Sequence, residues 1–173
     1  KEGSRFRVFN EHNRSYLTKT VIYATGRTPR KLGVPGEEHY RNKGVTYCAV
    51  CDGPLYGGKD VAIIGGGNSA LEAILMMTKI ASRVTAVNIN PEFRGDAIYI
   101  QQLSSLPNVE VIIHSMTSEV RGDGKFVTGI VVEDKETKQQ REVPVRGVFV
   151  EIGSLPIIEP VKDLGLTLNP YNE

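Results

Sequence analysis

Residues 60–70 read DVAIIGGGNSA, a short apolar run followed directly by three glycines. The run Asp60–Ile64 is typical of a strand that is buried on both faces of a parallel sheet. The glycines open the stretch 69–82, whose broad apolar face predicts a helix. Backbone N–H groups at such a strand-to-helix turn bind the pyrophosphate of a dinucleotide. The stretch therefore predicts a nucleotide-binding loop inside a βαβ unit.

Residues 65–70 fit the G-x-G-x-x-A pattern, and its positions have separate physical reasons. Gly65 permits the tight turn, and Gly67 lets a pyrophosphate approach the backbone. Ala70 lets the helix pack closely on the strand. We predict that Gly65, Gly67, Asn68, Ser69 and Ala70 bind the cofactor. The alternative is a glycine turn in a Rossmann-like domain that holds no ligand.

Outward from this loop, the hydrophobic pattern predicts an alternation of strands and helices. A helix at 96–106 directs Ile98, Ile100 and Leu103 inward. The other predicted strands are a hairpin at 4–9 and 17–24, sheet strands at 83–89, 109–114 and 147–152, and an antiparallel meander at 117–121, 129–134 and 141–145. The predicted fold class is α/β, a Rossmann-like domain with a three-layer ββα architecture and an antiparallel β-meander.

The end of the second sheet strand bears on the choice of cofactor. A carboxylate there binds the ribose of NAD, whereas basic residues accept the 2′-phosphate of NADP. This chain has Asn88-Ile89-Asn90, with Arg94 one turn later. An amide bonds a hydroxyl, and only one cation is near, so we predict NAD(H) with Asn88 and Arg94 at the nucleotide. Alternatively, Arg94 is a solvated residue at the start of the next helix.

Both cysteines lie in the segment CAVCD, residues 48–52. A zinc site needs four ligands, but there is no second C-x-x-C, and the histidines His12, His39 and His114 are scattered. Two inert buried thiols are a second interpretation. The favoured one is a redox dithiol, in which Cys48 and Cys51 form a small-loop disulfide and Asp52 exchanges the proton. A nicotinamide normally reaches a disulfide through a flavin, and the chain has no second dinucleotide fingerprint.

The composition excludes several classes of protein. The 173 residues include 40% hydrophobic and 24% charged residues, with a net charge of +1. This balance argues against a nucleic-acid binder, and no apolar run approaches the ~18–20 residues of a membrane span. Two cysteines are too few for a secreted disulfide scaffold. The chain opens at Lys1 and soon enters a strand, so both a piece cut from a larger protein and a mature protein with a trimmed end stay open.

With these motifs in place, the sequence resembles the low-molecular-weight thioredoxin reductase family and its relative, the flavoprotein subunit of alkyl hydroperoxide reductase. The cysteine segment, followed at this distance by the glycine loop, is specific to that family. The matching stretches are ATG at 24–26, PR at 29–30, VPGE at 34–37, GVTYCAVCDG at 44–53, residues 61–72, GVFV at 147–150 and IG at 152–153.

The resemblance implies an FAD domain that is split in sequence, with an NAD(P)H domain inserted in it. It implies that Cys51 faces the flavin, that Cys48 attacks the disulfide of the partner protein and that Asp52 is the general acid. Thr25 and Gly26 would run past the FAD. The cofactor-binding set that we predict is completed by Gly153. Members of the family are homodimers and usually cytoplasmic, so we expect a homodimer in the full-length protein and a cytoplasmic location, without a nucleic-acid or membrane partner.

The resemblance also implies a domain organisation. Residues 1–44 are expected to be a partial FAD-domain segment, residues 45–154 the NAD(P)H-binding domain with the redox C-x-x-C, and residues 155–173 a linker towards an absent FAD domain. The FAD glycine fingerprint and the later Gly-Asp segment of the family are missing from this sequence. The chain therefore looks like a central fragment that is incomplete for turnover.

The sequence departs from the family pattern at the cofactor strand. The basic group of the NADPH enzymes is replaced by Asn88-Ile89-Asn90, and only Arg94 matches. The NADH-using peroxide-reductase flavoproteins have an acidic residue where Asn88 stands. The sequence thus argues more strongly against NADPH than against NADH, but it excludes neither nucleotide. The segment Gly53-Pro54-Leu55 and residues 65–69 look slightly more like the peroxide-reductase branch.

These expectations combine into one functional hypothesis. The chain is part of a flavin-dependent thioredoxin-disulfide reductase that passes electrons from NAD(P)H through FAD to the Cys48–Cys51 disulfide and on to a thioredoxin-like protein. One alternative is the NADH-dependent flavoprotein subunit of alkyl hydroperoxide reductase, which serves a peroxiredoxin system. The other is a nucleotide-binding module without catalysis.

Overall fold

The computed structural model describes residues 3–169. Residues 1, 2 and 170–173, at the outer ends of two predicted segments, lie outside that range. The strands, in chain order, are β1 (Phe6–Phe9), β2 (Ser15–Thr18), β3 (Arg27–Pro29), β4 (Val45–Thr46), β5 (Asp60–Ile64), β6 (Arg83–Val87), β7 (Val109–Ile112), β8 (Ser115–Gly122), β9 (Val127–Asp134), β10 (Gln140–Pro144), β11 (Gly147–Val150) and β12 (Ser154–Pro156). The helices are α1 (Ala49–Asp52), α2 (Asn68–Met77) and α3 (Ala97–Leu103), with 3₁₀ turns at Gly53–Tyr56 and Glu159–Leu164.

These elements belong to two compact units. Unit 1 combines the N-terminal residues up to Thr28 with those from Ser154 onwards, and unit 2 is Pro29–Gly153. The boundaries expected from the family lie at residues 44/45 and 154/155. That unit 1 belongs to an FAD domain stays a proposal. No helix within residues 3–169 is long and apolar enough to cross a bilayer.

A five-stranded parallel sheet forms the centre of unit 2. Its order is β4-β11-β5-β6-β7, and every neighbouring pair in it is parallel. Helix α2 connects β5 to β6, and α3 connects β6 to β7. This is the Rossmann-type alternation that the sequence predicts, and strand β5 occupies the predicted residues 60–64.

The two faces of this sheet bury different partners, because successive side chains of a strand point to opposite sides. Val61 and Ile63 of β5 pack in a core with α2 and α3. Ala62 and Ile64 pack in a second core with the meander, whose strand order is β10-β9-β8. The layers are therefore helices, parallel sheet and antiparallel meander, and the predicted three-layer architecture is confirmed.

One predicted core residue is wrong. Ile98 is 63% exposed, whereas Leu103 is buried and Ile100 is half-buried against the helix-side core. Successive residues of an α-helix are rotated by about 100°. Ile98 therefore lies about 160° from Ile100, while Leu103 lies within about 60° of Ile100. The inward face of α3 is therefore narrow and excludes Ile98. Helix α3 is also shorter than the predicted helix at residues 96–106.

The hairpin of unit 1 has a tighter turn than predicted. Strands β1 and β2 are antiparallel, with Phe9 opposite Ser15. The side chain of Asn10 accepts hydrogen bonds from the backbone N–H groups of His12 (3.1 Å) and Arg14 (3.0 Å). This Asx-type turn closes the hairpin early, so the second strand ends at Thr18 rather than at residue 24.

Candidate functional site

The glycine loop joins β5 to α2 at the carboxyl edge of the parallel sheet. Gly65 has φ +147°, and a Cβ on it would lie 2.2 Å from the carbonyl oxygen of Glu151 and 3.0 Å from the Cβ of Ala70. Its N–H donates to the carbonyl of Val87 (2.9 Å). Only glycine fits both this backbone conformation and this approach to the end of β11.

Gly67 has a different environment. It precedes α2 with φ −97°, an ordinary extended conformation. Nothing lies nearer than 4.0 Å to the position of a Cβ, where the closest atom is the carbonyl oxygen of Arg94. The space in front of this backbone is open at the N-terminus of a ten-residue helix. A phosphate group can therefore approach the N–H groups without meeting a side chain.

A cavity of about 640 Å³ opens in front of the loop. The structure brings seven of the predicted cofactor residues together in its wall, namely Gly65, Gly67, Asn68, Ser69, Asn88, Arg94 and Gly153. Ala70 is fully buried beneath the loop. Thr25 and Gly26 belong to unit 1, where the Thr25 hydroxyl donates to the carbonyl of Ile157 (3.2 Å) and the Gly26 carbonyl accepts from the N–H of Ile157 (3.2 Å).

The amide of Asn88 is fixed by its own turn. Its Nδ2 donates to the carbonyl of Glu92 (2.8 Å), and its Oδ1 accepts from the N–H of Asn90 (3.1 Å). A Cβ on Gly66 would lie 2.4 Å from this Oδ1, so the loop packs directly on the amide. Asn88 therefore shapes the floor of the cavity, and the exposed Arg94 stands at its wall.

Sequence reasoning missed other residues of the cavity wall, including Arg30, Leu32, Met116 and Glu151. Arg30 and Leu32 lie in the irregular segment before β4, and Met116 lies at the start of the meander. No local pattern marks those three positions. Glu151 had a signal, because it is a charged residue that directly follows the fully buried strand β11.

The cysteine pair forms a disulfide. Cys48 precedes α1 and Cys51 lies within it, with their Cα atoms 5.3 Å apart. The N–H of Cys51 donates to the Sγ of Cys48 (3.2 Å). Cys51 is exposed and Cys48 is half-buried. Among the described residues, no cluster of His, Cys, Asp and Glu could hold a metal ion.

Asp52 is held by a neighbouring threonine. The buried hydroxyl of Thr46 donates to Oδ2 of Asp52 and accepts from the N–H of Cys48 (3.3 Å). Burial raises the pKa of Tyr56, and the negative charge of Asp52 raises it further. Asp52 is thus anchored by Thr46 at the end of the cysteine helix, and its charge acts on Tyr56 in the 3₁₀ turn that follows.

Glu151 connects the cysteine helix with the nucleotide cavity. Its Oε1 accepts from the N–H of Ala49 (3.3 Å), the residue that follows Cys48. Burial raises the pKa of Glu151, the bond from Ala49 opposes this shift, and the charge of Glu72 adds to it. One side chain therefore contacts α1 and lines the cavity.

Glu37 is a second acidic side chain that holds the cysteine segment in place, as Glu151 does, and we call these two residues the cysteine tethers. Glu37 is almost fully buried, at 3% exposure. Its carboxylate accepts from the N–H groups of Leu32 (2.8 Å) and Gly33 (2.7 Å) and from the hydroxyl of Tyr47 (2.9 Å). Burial raises the pKa of Tyr47, and so does this contact with Glu37. Tyr47 directly precedes Cys48, so Glu37 anchors the backbone on the N-terminal side of the disulfide.

Comparisons with known proteins match this chain along nearly its whole length. The model of the pyridine nucleotide-disulphide oxidoreductase family matches residues 2–173. An alkyl hydroperoxide reductase subunit from Pseudomonas aeruginosa is 45% identical over 171 residues, covering 99% of this chain and 33% of that protein. NADH dehydrogenase of Bacillus subtilis is 45% identical over 154 residues, covering 89% of this chain and 30% of that protein.

Solved structures show the same similarity. The thioredoxin reductase of Lactococcus lactis gives a TM-score of 0.91 at 33% identity, covering 99% of this chain and 56% of that one. The thioredoxin reductase of T. acidophilum gives 0.90 at 35% identity, with the same coverage of 99% and 56%. The chain spans about a third of the length of the curated relatives that it matches.

Proposed function

The chain belongs to the pyridine nucleotide-disulphide oxidoreductase family, and from that premise we propose that its protein is a flavin-dependent disulfide reductase of the thioredoxin reductase type. Electrons pass from NAD(P)H through FAD to the Cys48–Cys51 disulfide and on to a disulfide in a thioredoxin-like protein. The family uses FAD and a pyridine nucleotide. FAD supplies the two-electron relay, because a disulfide does not normally accept a hydride directly.

The observation that supports this proposal most directly is the hydrogen bond from Ala49 to Glu151. It joins the helix of the disulfide to a residue in the wall of the nucleotide cavity, within one compact unit. A disulfide that is reduced at the expense of a nicotinamide is expected to share a unit with the dinucleotide loop, and this hydrogen bond links the two.

The cysteines and Asp52 have separate roles in this proposal. Reduction breaks the Cys48–Cys51 bond, adds two electrons and two protons and leaves two thiols. Cys51 is the sulfur that would receive the electrons from the flavin. Cys48 then loses its proton and attacks the disulfide of the partner protein as a thiolate, forming a mixed disulfide, and the partner sulfur that leaves takes its proton from Asp52. Cys51, as a thiolate, then attacks the sulfur of Cys48, which re-forms the Cys48–Cys51 bond and releases the second partner sulfur.

The nucleotide fits the glycine loop on structural grounds. Gly67 leaves room for a pyrophosphate at the N-terminus of α2, and Gly65 fixes the turn that presents it. Asn68 and Ser69 lie beside this space, and Asn88 and Arg94 line the same cavity, so we propose that the ribose binds next to them. For FAD, the resemblance to the family selects Gly26, whose backbone is open to a close approach because no atom lies within 4 Å of its Cβ position; Gly3 and Gly165 of unit 1 share this property.

A second candidate acceptor has its own support. The relatives at 45% identity include an alkyl hydroperoxide reductase subunit, whereas the thioredoxin reductase structures are 33–35% identical. The cofactor strand also has no basic cluster for a 2′-phosphate. Both observations favour an NADH-dependent flavoprotein that serves a peroxiredoxin system. In either case we propose a homodimer in the cytoplasm, where thiols are kept reduced.

Calorimetry of the chain with each nucleotide tests the cofactor site. NADH should bind at least as tightly as NADPH, because Asn88 and Ile89 offer no cation to the 2′-phosphate. A tenfold preference for NADPH, about 1.4 kcal/mol, would contradict this assignment. Comparing thioredoxin with a peroxiredoxin system as acceptor for the full-length protein distinguishes the two candidate functions.

Thiol titration tests the redox pair. The chain should show no free thiol as isolated and two thiols after treatment with dithiothreitol, and it should return to the disulfide on oxidation. Nucleotide binding by a chain whose disulfide cannot be reduced and reformed would support a non-catalytic binding module instead. Stoichiometric zinc in the reduced chain would overturn the redox role.

A further inference from the structure

Thr46 is a buried residue whose hydroxyl bonds to both sides of the disulfide helix. Its side chain lies in β4, which pairs with β11 at Phe149, and only 5% of the residue is exposed. The hydroxyl donates to Oδ2 of Asp52, at the C-terminal end of α1. The same oxygen accepts from the N–H of Cys48, before the helix begins (3.3 Å).

The direction of these bonds determines where Asp52 can hold a proton. A threonine hydroxyl has one proton, and the N–H of Cys48 occupies one of its lone pairs. The hydroxyl proton is donated to Oδ2 of Asp52, which acts as an acceptor. When Asp52 is protonated, its own proton resides on the other oxygen, Oδ1.

We propose that Thr46 is the positioning residue for Asp52 in thiol–disulfide exchange, fixing the carboxyl group so that Oδ1 carries the exchangeable proton. This proposal rests on the acid role of Asp52 in the proposed function. Asp52 ends a helix of four residues and is half-exposed. Its side chain would be free to rotate without a fixed partner, and the sheet supplies that partner through Thr46.

The step can be followed with a small dithiol as the reductant. One dithiothreitol thiolate attacks a sulfur of the Cys48–Cys51 pair, forming a mixed disulfide and breaking the protein S–S bond. The electron pair of that bond goes to the other cysteine sulfur, which takes the proton from Oδ1 of Asp52. The second dithiothreitol sulfur, as a thiolate, then closes the cyclic reagent and releases the first cysteine, which takes a proton from solvent.

The experiment measures the rate at which dithiothreitol reduces the oxidised chain, per reagent thiolate, between about pH 6 and about pH 8. Thr46→Val keeps the shape of the side chain but removes the hydroxyl. It should slow reduction about tenfold, as should Asp52→Asn, and both should alter the profile against pH in the same way. Thr46→Ser should restore the rate to within about twofold of the wild type.

Thr85→Val is the matched control. Thr85 is another buried threonine of the same sheet, on β6, and it has no contact with the cysteine helix among the hydrogen bonds of the described residues. Its substitution should leave the rate unchanged. A Thr46→Val rate equal to that of the wild type, with Asp52→Asn slow, would overturn the role of Thr46 and leave the proposed function intact.

A normal rate in Asp52→Asn would overturn both the acid role of Asp52 and the positioning role of Thr46, although the redox cycling of the cysteines would stand. Circular dichroism and NADH affinity show whether Thr46→Val folds. If Thr46→Val does not fold, the hydrogen bond between Thr46 and Asp52 can be measured directly in the wild-type chain. The Thr46 hydroxyl proton should exchange slowly enough with water to be seen by NMR, with a cross-peak to Asp52 side-chain protons, and the absence of this signal would overturn the proposal.

Discussion

The glycine loop and the cysteine helix are held in place by different kinds of contact. At the loop, the backbone itself forms the site, because Gly65 approaches the end of β11 and Gly67 leaves open space. At the helix, side-chain hydrogen bonds fix the chain, through Glu37 at Tyr47, before Cys48, and through Thr46 at both Cys48 and Asp52. The loop therefore depends on the absence of side chains, and the helix on the presence of buried polar ones.

The difference has a functional reason. A dinucleotide needs a rigid surface of N–H groups, and a short sequence of small residues is sufficient to build it. A redox disulfide opens and closes, so the chain around it has to stay in place while the S–S bond is absent. Four-residue helix α1 cannot do this alone, because isolated helices of this length are unstable in water.

Removal of the Glu37 carboxylate should give the largest effect. Glu37→Ala leaves the N–H groups of Leu32 and Gly33 and the hydroxyl of Tyr47 without their acceptor. Hydrogen bonds to a charged group contribute about 1.5–3 kcal/mol each, less at the exposed Gly33 than at the half-buried Leu32 and Tyr47, so the free energy of unfolding should fall by about 3 kcal/mol or more. Urea denaturation followed by circular dichroism measures this loss.

The adjacent glutamate provides the control for this prediction. Glu38 is exposed and forms surface ion pairs with Lys31 and Arg41. Glu38→Ala should change the stability far less, because exposed ion pairs contribute little. Equal losses in the two variants would mean that the segment before Cys48 is not held by its buried carboxylate.

Alanine at two positions of the loop tests the other side of the comparison. Gly65→Ala should lower the free energy of unfolding by about 1–3 kcal/mol, because its φ is +147° and the new Cβ meets the Glu151 carbonyl. Gly67→Ala should leave stability nearly unchanged, since its φ of −97° suits alanine. The Gly67 variant should instead bind NADH at least tenfold more weakly by calorimetry. If Gly67→Ala binds NADH as tightly as the wild type, the pyrophosphate does not bind at Gly67.

Much of the fold follows from local sequence patterns. The run DVAII predicts β5 to the residue, because a strand buried on both faces has to be continuously apolar. Gly65 and Gly67 identify the loop because their chemistry is local. The error at Ile98 arises because apolar residues spaced by two and three do not all share one helical face.

The cysteine tethers could not be predicted in this way. The spacing of Cys48 and Cys51 identifies the redox pair, but the side chains that hold the surrounding chain in place come from separate parts of the fold. Glu37 and Tyr47 are ten residues apart, and Ala49 and Glu151 are 102 apart. The contact of Ala49 with Glu151 depends on the pairing of β4 with β11, and that of Glu37 with Tyr47 spans an irregular segment, so no local pattern of the sequence indicates either one.

A new cation at the cofactor strand should have an intermediate effect. Ile89 lies in the cavity wall and is 48% exposed. Ile89→Arg should shift the ratio of NADPH to NADH affinity by about tenfold towards NADPH, because a guanidinium bonds the 2′-phosphate. The matched control is Ile98→Arg, an exposed isoleucine on α3 that does not line this cavity. An equal shift in both variants would indicate general attraction of the phosphate rather than a ribose site at Ile89.

The smallest effect is expected at Glu151, where the two kinds of contact meet. Its carbonyl packs against Gly65, and its carboxylate accepts from Ala49. Burial raises its pKa above the ordinary value of 4.5, so the folded state disfavours the charged form. This group therefore favours folding below pH 4.5, and the contribution is lost as the pH rises through the raised pKa.

Glu151→Gln removes the charge, while its amide oxygen can still accept from Ala49. The variant should melt at a higher temperature than the wild type at neutral pH, and the difference should vanish near pH 4, where the wild-type carboxyl is protonated. Glu72→Gln should give a smaller gain of the same sign, because the charge of Glu72 is only the third cause of the shift. A Glu151→Gln variant that is less stable than the wild type at neutral pH would mean that the ionised carboxylate is needed at Ala49. The cysteine helix would then depend on a charged tether, in contrast to the uncharged backbone of the loop.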